Sequence, residues 1–162
     1  PALMDGTSGS TREEPWDLNP DYQREHVWTD EQAEKYMGHV LEGGSVPLIF
    51  LQRYDSAKNA PAGIDYWTLP VEVVDGKQRL TATRRWLEGE IGARLTDGRL
   101  VWYKETNEVD RRGLPNVKVA LLDISRVERL RFYLKLNRGG TIHTNDEIET
   151  VKALLNAEEQ SP

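Results

Sequence analysis

The stretch Val71-Glu-Val-Val-Asp-Gly-Lys-Gln-Arg-Leu-Thr-Ala-Thr83 decides the fold prediction, because its hydrophobic period changes at a glycine. Before the glycine, apolar residues alternate from Trp67 onward, which is typical of a strand with one buried face. After it, helical spacing of apolar residues predicts a helix over residues 77–88, with Gly89 as its end. The stretch therefore predicts a strand, a glycine turn and a helix in direct succession.

Three further helices are predicted from signals at their N-termini. Ser or Thr followed three residues later by Glu or Gln has the spacing of a capping box, in which each side chain accepts a hydrogen bond from a backbone N–H. The boxes are Thr29 with Gln32, Ser125 with Glu128, and Thr144 with Glu147. Each one precedes apolar residues at helical period, so we expect a helix after each.

The remaining strands are short. Apolar runs predict strands over residues 46–52 and 117–122, and residues 94–103 read as a hairpin that turns at Asp97-Gly98. Helices and strands are interspersed, but the hairpin and the short connections favour a mixed α+β sheet with flanking helices over a doubly wound sheet.

Composition fits one domain of a water-soluble protein. The chain has 162 residues, of which 38% are hydrophobic and 30% charged. Residues 1–14 are small and polar, so we expect a flexible N-terminal arm followed by a single domain over residues 15–162. No cysteine is present, which excludes a disulfide scaffold, a thiolate zinc site and a cysteine nucleophile.

Charge and hydropathy narrow the expected partners. No apolar run approaches the ~20 residues that span a bilayer, and no signal-peptide pattern is present, so we expect a cytoplasmic protein without a membrane partner. The net charge of −6 argues against a basic surface that grips DNA along a whole face. We interpret the basic run Arg126, Arg129, Arg131, Lys135 and Arg138 mainly as a solvated face.

The glycine turn is the strongest candidate for chemistry. A helix start carries unpaired N–H groups and a partial positive charge, which attract an anion. Gly76 allows close backbone approach, Arg79 offers a planar fork suited to phosphate, and Lys77 offers a mobile point charge. The Asp75 carboxylate is suited to accept a hydrogen bond from a ribose hydroxyl or to orient a metal-bound water. The alternative is that Asp75 merely caps the helix and the basic residues are solvated.

The same residues resemble a known family. Asp75-Gly-Lys-Gln-Arg79 is similar to the DGQQR box of GmrSD-type N-terminal domains, which have the ParB/sulfiredoxin-like fold. Asn19-Pro-Asp-Tyr-Gln-Arg-Glu-His-Val-Trp28 resembles the family's opening P-x-Y-Q-R-x-x-x-W element. Phe132-Tyr-Leu-Lys-Leu-Asn-Arg-Gly-Gly-Thr141 resembles its later F-x-x-x-N-x-G-G-T element. The resemblance spans roughly residues 19–155 and adds the ParB-like fold to our expectation.

The resemblance implies a site for a nucleoside triphosphate with Mg²⁺. Asp75 and Arg79 are the implied catalytic residues, and Tyr22 and Trp28 match the opening element. The implied nucleotide contacts are Gly76, Lys77, Gln78, Arg79, Gln23, Arg24, Asn137, Gly139 and Gly140. Lys77 departs from the box, where the family usually has Gln, which puts the base or metal preference in question.

The implied function is hydrolysis of a nucleoside triphosphate, or transfer of its phosphoryl group, in DNA modification or phage–host restriction. A kinase that acts on a hydroxyl is a variant of this expectation. DNA and a separate nuclease or effector subunit are the further candidate partners, and the location is the host cytoplasm if a phage encodes the chain. Two alternatives remain: a non-catalytic sensor of DNA or protein, and a phage-encoded decoy of a host restriction subunit.

Overall fold

The computed structural model describes residues 16–23, 27–54, 59–60, 63–65, 68–107, 117–136 and 145–160. The strands within these residues are β1 (Trp16–Asp17), β2 (Ile49–Gln52), β3 (Val71–Asp75), β4 (Ala93–Arg94), β5 (Leu100–Val101) and β6 (Val119–Leu122). The α-helices are α1 (Asp30–Leu41), α2 (Lys77–Leu87), α3 (Arg126–Leu136) and α4 (Asn145–Gln160). The predicted α+β class with flanking helices is confirmed.

The main sheet has four strands in the order β1-β3-β2-β6 and is mixed. β1 pairs with β3 in parallel, with Trp16 opposite Val71, whereas β2 pairs with β3 antiparallel, with Leu51 opposite Val73. Residues 71–74 of β3 are all buried, so the prediction of a single buried face was wrong. Alternation fails here because β3 has a neighbouring strand on each side and is covered on both of its faces.

The other predicted strands are real but shorter. Residues 46–48 and 117–118 lie outside β2 and β6, which begin at Ile49 and Val119. The hairpin is confirmed as the separate two-stranded sheet of β4 and β5, and its turn places Gly98 at φ +87°. Tyr103, predicted as the last residue of the hairpin, instead begins one turn of 3₁₀ helix over Tyr103–Glu105.

The chain forms two compact units, and each unit is built from segments that are far apart in the sequence. The described residues of the first unit are 27–49, 76–107 and 117–120. Its core consists of Ala33, Met37, Val40, Ala82, Trp86, Ile91 and Ala93. α1 lies so close to β4 that a Cβ at Gly38 would be 1.8 Å from the carbonyl oxygen of Arg94. The helical period of α1 and α2 therefore places their apolar stripes against each other and against the hairpin.

The second unit contains the described parts of residues 10–25, 50–75 and 121–162. Its core consists of Tyr22, Leu130, Tyr133 and Val151, with α3 packed on α4. Arg126 of α3 bonds both Asp21 and Glu158, which ties the segment before residue 24 to the last helix. The domain boundary at residue 15 stays a prediction, and the predicted arm at residues 1–14 lies outside the described residues.

Two of the three capping boxes are seen. Thr29 accepts from the N–H of Gln32 at 3.3 Å, and the Gln32 side chain accepts from the N–H of Thr29 at 2.9 Å. Ser125 and Glu128 make the equivalent pair of bonds at the start of α3. The third box falls on Thr144, outside the described residues, although the helix predicted after it is present as α4.

Candidate functional site

The turn from β3 into α2 has the geometry that the sequence predicts. Asp75 is the half-buried last residue of β3, and Gly76 follows at φ +110° as the N-cap of α2. A Cβ at Gly76 would lie 2.9 Å from Cγ1 of Ile49. Only glycine satisfies both constraints, since other residues are strained at this φ and crowded by Ile49. Because Gly76 has no side chain, the start of α2 has no side-chain cap.

Gln78 connects the turn to the opening element. Its Oε1 accepts hydrogen bonds from the backbone N–H groups of Val27 and Trp28, each at 3.2 Å. The Trp28 ring packs on Tyr36 of α1 with centroids 5.4 Å apart. The structure thus brings together Gln78 and Trp28, which the sequence assigned to two separate elements of one site.

Arg79 connects the turn to the segment before β2. Its Nη1 donates to the carbonyl oxygens of Pro47 at 2.7 Å and Leu48 at 3.2 Å. Its charge also acts on Tyr36: burial raises the pKa of the Tyr36 phenol, and the Arg79 guanidinium opposes that rise. Arg79 therefore holds residues 47–48 against the N-terminus of α2. Its charge alone does not indicate this structural role.

The Lys77 side chain is buried, which the sequence did not predict. The residue is only 7% exposed, so it is neither a mobile point charge nor one of the solvated basic residues of the alternative interpretation. Lys77 shares this burial with Leu80, Thr81 and Ala82 of α2, whereas Gln78 and Arg79 between them are half-buried. The long aliphatic stem of lysine allows this burial.

In the second unit, Gln23 is tied to the end of β3. Its Nε2 donates to the carbonyl oxygens of Val73 and Val74, the latter at 2.9 Å. Tyr22 beside it is buried and meets the Tyr133 ring edge-on, with centroids 5.2 Å apart. These contacts fix residues 22–23 against the strand that leads into the turn.

A buried ionic cluster in the second unit was missed by the sequence analysis. Glu72 of β3 and Arg129 of α3 are 5% and 2% exposed, and Arg129 Nε lies 3.3 Å from Glu72 Oε1. The Tyr54 hydroxyl donates to Glu72, and the Arg129 guanidinium lies over the Tyr54 ring. Burial, followed by the Glu72 charge, raises the pKa of Tyr22.

This cluster corrects the interpretation of the basic run on α3. Arg129 belongs to the core, and Arg126 is engaged with two carboxylates, so the run is only partly a solvated face. A signal existed in the sequence, because Glu72 is a charged residue flanked by Val71 and Val73 in β3 and a buried carboxylate requires a partner.

Four predicted contacts lie outside the described residues: Arg24, Asn137, Gly139 and Gly140. Within the described part of the chain, no group of three or more His, Cys, Asp or Glu is placed to hold a metal ion. None of the described helices is long and apolar enough to cross a membrane.

Comparison with known proteins identifies the family. No curated protein and no solved structure matches the chain. A family model described as GmrSD restriction endonuclease, N-terminal domain, matches residues 7–160. That match contains all the elements described above, from β1 to α4. The chain therefore belongs to the GmrSD restriction endonuclease N-terminal domain family, which places it in a DNA-restriction context.

Proposed function

We propose that the turn between β3 and α2 binds the phosphates of a nucleoside triphosphate, and that the chain hydrolyses it or transfers its terminal phosphoryl group. The observation that carries this proposal is the start of α2 at Gly76, whose left-handed φ and missing side chain allow an anion to approach the backbone closely. The first N–H groups of a helix have no intrahelical partner and attract phosphate. Lys77 and Arg79 add positive charge within the same turn.

The proposed division of labour follows from the chemistry of each side chain. Phosphoryl transfer depends mainly on positioning and charge stabilisation, which the helix start, Lys77 and Arg79 supply. Asp75 orients the attacking hydroxyl or water. Mg²⁺ held mainly through nucleotide phosphates needs only one or two protein carboxylates, and Asp75 fits that requirement. The ion would supply neutralisation of phosphate charge.

The hydrogen bonds of Gln78 and Arg79 support a preformed site. They hold two loop segments, residues 27–28 and 47–48, against the first turn of α2. A site fixed before the ligand arrives loses less conformational entropy on binding. The contacts assigned to Gln23, Arg24, Asn137, Gly139 and Gly140 remain predictions from the family resemblance. From the same resemblance we propose a separate nuclease domain or subunit as the partner.

Removing the Arg79 side chain tests this proposal. We expect Arg79→Ala to bind ATP, GTP, CTP or UTP with Mg²⁺ about tenfold to a hundredfold more weakly, because a charged hydrogen-bond donor and the anchor of residues 47–48 are both lost. Isothermal titration calorimetry measures the affinity, and circular dichroism establishes that the variant is folded.

Arg84→Ala is the matched control. Arg84 lies on the same helix, is exposed, and makes a long surface ion pair with Glu88 at 3.9 Å. We expect it to bind nucleotide as the parent chain does. Equal affinities in Arg79→Ala and the parent chain would contradict the proposed site. Nucleotide binding with no conversion of the triphosphate to the diphosphate, either by hydrolysis or by transfer to an added acceptor, would instead assign the chain to the non-catalytic sensor class.

A further inference from the structure

A separate cleft lies in the first unit at the C-terminal end of α2. It has a volume of about 500 Å³ and is lined by Leu87, Glu88, Gly89, Trp102, Tyr103 and Lys104. α2 has 11 residues, which at 1.5 Å per residue places the cleft about 16 Å along the helix from Gly76. None of the residues proposed to bind phosphate lines it.

The aromatic side of the cleft is held in place by the core. The Tyr103 ring meets the buried Trp86 ring edge-on, with centroids 5.0 Å apart and planes at 75°. Trp86 Nε1 donates to the carbonyl oxygen of Val101 at 3.1 Å, directly before Trp102. The N–H of Trp102 donates to Glu105 at 3.0 Å. Trp102 and Tyr103 are both half-buried and both line the cleft.

The polar side of the cleft has charges of both signs. The Glu88 side chain is 54% exposed, and its ion pair with Arg84 is long and joins two exposed groups, so it is weak. The Glu88 carboxylate is a hydrogen-bond acceptor only, whereas Lys104 is a donor only. The C-terminus of α2 adds partial negative charge near Glu88.

These features exclude most ligand classes. Glu88 and the helix C-terminus repel a phosphate, and Lys104 opposes a simple cation. An aliphatic group would make no hydrogen bond to either charged group. A neutral planar ring fits, because it stacks on the aromatic side and presents donors to the carboxylate and an acceptor to the ammonium.

We propose that this cleft binds a guanine base. The Watson–Crick edge of guanine presents two adjacent N–H donors beside a carbonyl oxygen, a combination that adenine, cytosine and uracil lack. The two donors pair with the Glu88 carboxylate, the carbonyl oxygen accepts from Lys104, and the ring stacks on Trp102. The inference does not depend on the proposed phosphate site.

Phosphate-free nucleosides test the cleft by itself. Guanosine is titrated into the full chain by isothermal titration calorimetry, beside adenosine and inosine. We expect saturable binding of guanosine, about tenfold weaker binding of inosine, which lacks one donor, and no measurable binding of adenosine. Glu88→Gln should weaken guanosine about tenfold, and Trp102→Leu should abolish its binding.

Glu90→Gln is the control for Glu88→Gln. Glu90 is a nearby exposed carboxylate that bonds Arg85 and does not line the cleft, so guanosine binding should be unchanged. Equal binding of adenosine and guanosine, full affinity in Glu88→Gln, or no guanosine binding up to its solubility limit would each overturn the proposal.

The source of the base is then distinguished with the pentanucleotides d(TTGTT) and d(TTATT). Tighter binding of the first pentanucleotide than of guanosine assigns the base to a single strand. Affinity no greater than that of guanosine assigns it to a free nucleoside or nucleotide. Both results support a guanine site, whereas equal affinity for the two pentanucleotides contradicts it.

Discussion

Gly76 is where β3 becomes α2, and two independent constraints act on that residue. Its φ of +110° is strained for other residues, and a side chain there would meet Ile49. We expect Gly76→Ala to lower the free energy of unfolding by about 1–3 kcal/mol through strain, and further through crowding. Urea denaturation followed by circular dichroism measures the loss.

Gly98→Ala separates these two effects. Gly98 has a similar φ of +87°, but nothing lies within 4 Å of a Cβ added there. Its loss of stability should therefore reflect strain alone and be smaller than that of Gly76→Ala. Equal losses of stability in the two variants would show that the Ile49 side chain moves aside without an energetic penalty.

The residues of the turn were partly predictable from the sequence. A glycine between a strand and a helix is a local signal, and the structure places Gly76 as expected. The bonds from Val27 and Trp28 to Gln78 join positions about 50 residues apart, and no local pattern reports such a contact. The same holds for the bonds of Arg79 to residues 47–48.

Between elements, the Glu72–Arg129 pair joins the strand β3 to the helix α3. Removing one member leaves the other charge buried without its partner, so Glu72→Met and Arg129→Met should each cost about 3–5 kcal/mol. The double variant should lose less than the sum of the two, because no buried charge remains. Chemical denaturation of the four chains completes the cycle.

An exposed pair on the same helix provides the comparison. Arg131 bonds Glu159 at 2.6 Å, but its side chain is 60% exposed. Arg131→Met should therefore change stability by about 1 kcal/mol or less. Strict additivity of the Glu72 and Arg129 variants would contradict the coupling that burial predicts.

Helix starts were predicted better than strand ends, for a physical reason. A capping box is complete within four residues, so Thr29 and Ser125 announce α1 and α3 by themselves. A strand ends where its partner ends, which is a property of another part of the chain. β1 has only two residues and exists through its pairing with β3, so its own sequence carries no signal.

The whole molecule should lose stability at alkaline pH. Burial, as the largest cause, raises the pKa values of Tyr22, Tyr36 and Tyr54 above those of exposed phenols. The folded state then keeps these groups neutral while the unfolded chain ionises them, so stability is full below about pH 10 and falls as the pH rises further. Unfolding free energies measured on both sides of pH 10 test this.

Tyr54→Phe identifies the cause of that fall. The variant removes one phenol whose pKa is raised, so its stability should decrease less steeply with pH than that of the parent chain. Tyrosinate absorbance of the folded protein should likewise show that Tyr22, Tyr36 and Tyr54 ionise at a higher pH than exposed phenols do. Identical slopes in the two chains would count against this assignment.

For the whole chain, the fold class and the family were predictable from the sequence. The two units, whose segments alternate along the chain, were not. Hydrophobic period and capping signals are sufficient for the class because they identify the elements. Which elements share a core depends on contacts across the chain. Tyr22 and Val151 belong to one core although 128 residues separate them, and nothing near either residue indicates it.

The core of the second unit has a consequence for synthesis on the ribosome. At roughly 5–20 residues per second, Val151 is made on the order of ten seconds after Tyr22. During that interval Tyr22 lacks α4, and Leu130 lacks it from its own synthesis onward, although both share a core with α4 in the folded protein. The last residue of the first unit is Ala120, so the ribosome has made all of that unit before it reaches α4. A nascent chain therefore exposes the apolar residues of the second unit until α4 emerges, and a chaperone that binds such surfaces has its opportunity there.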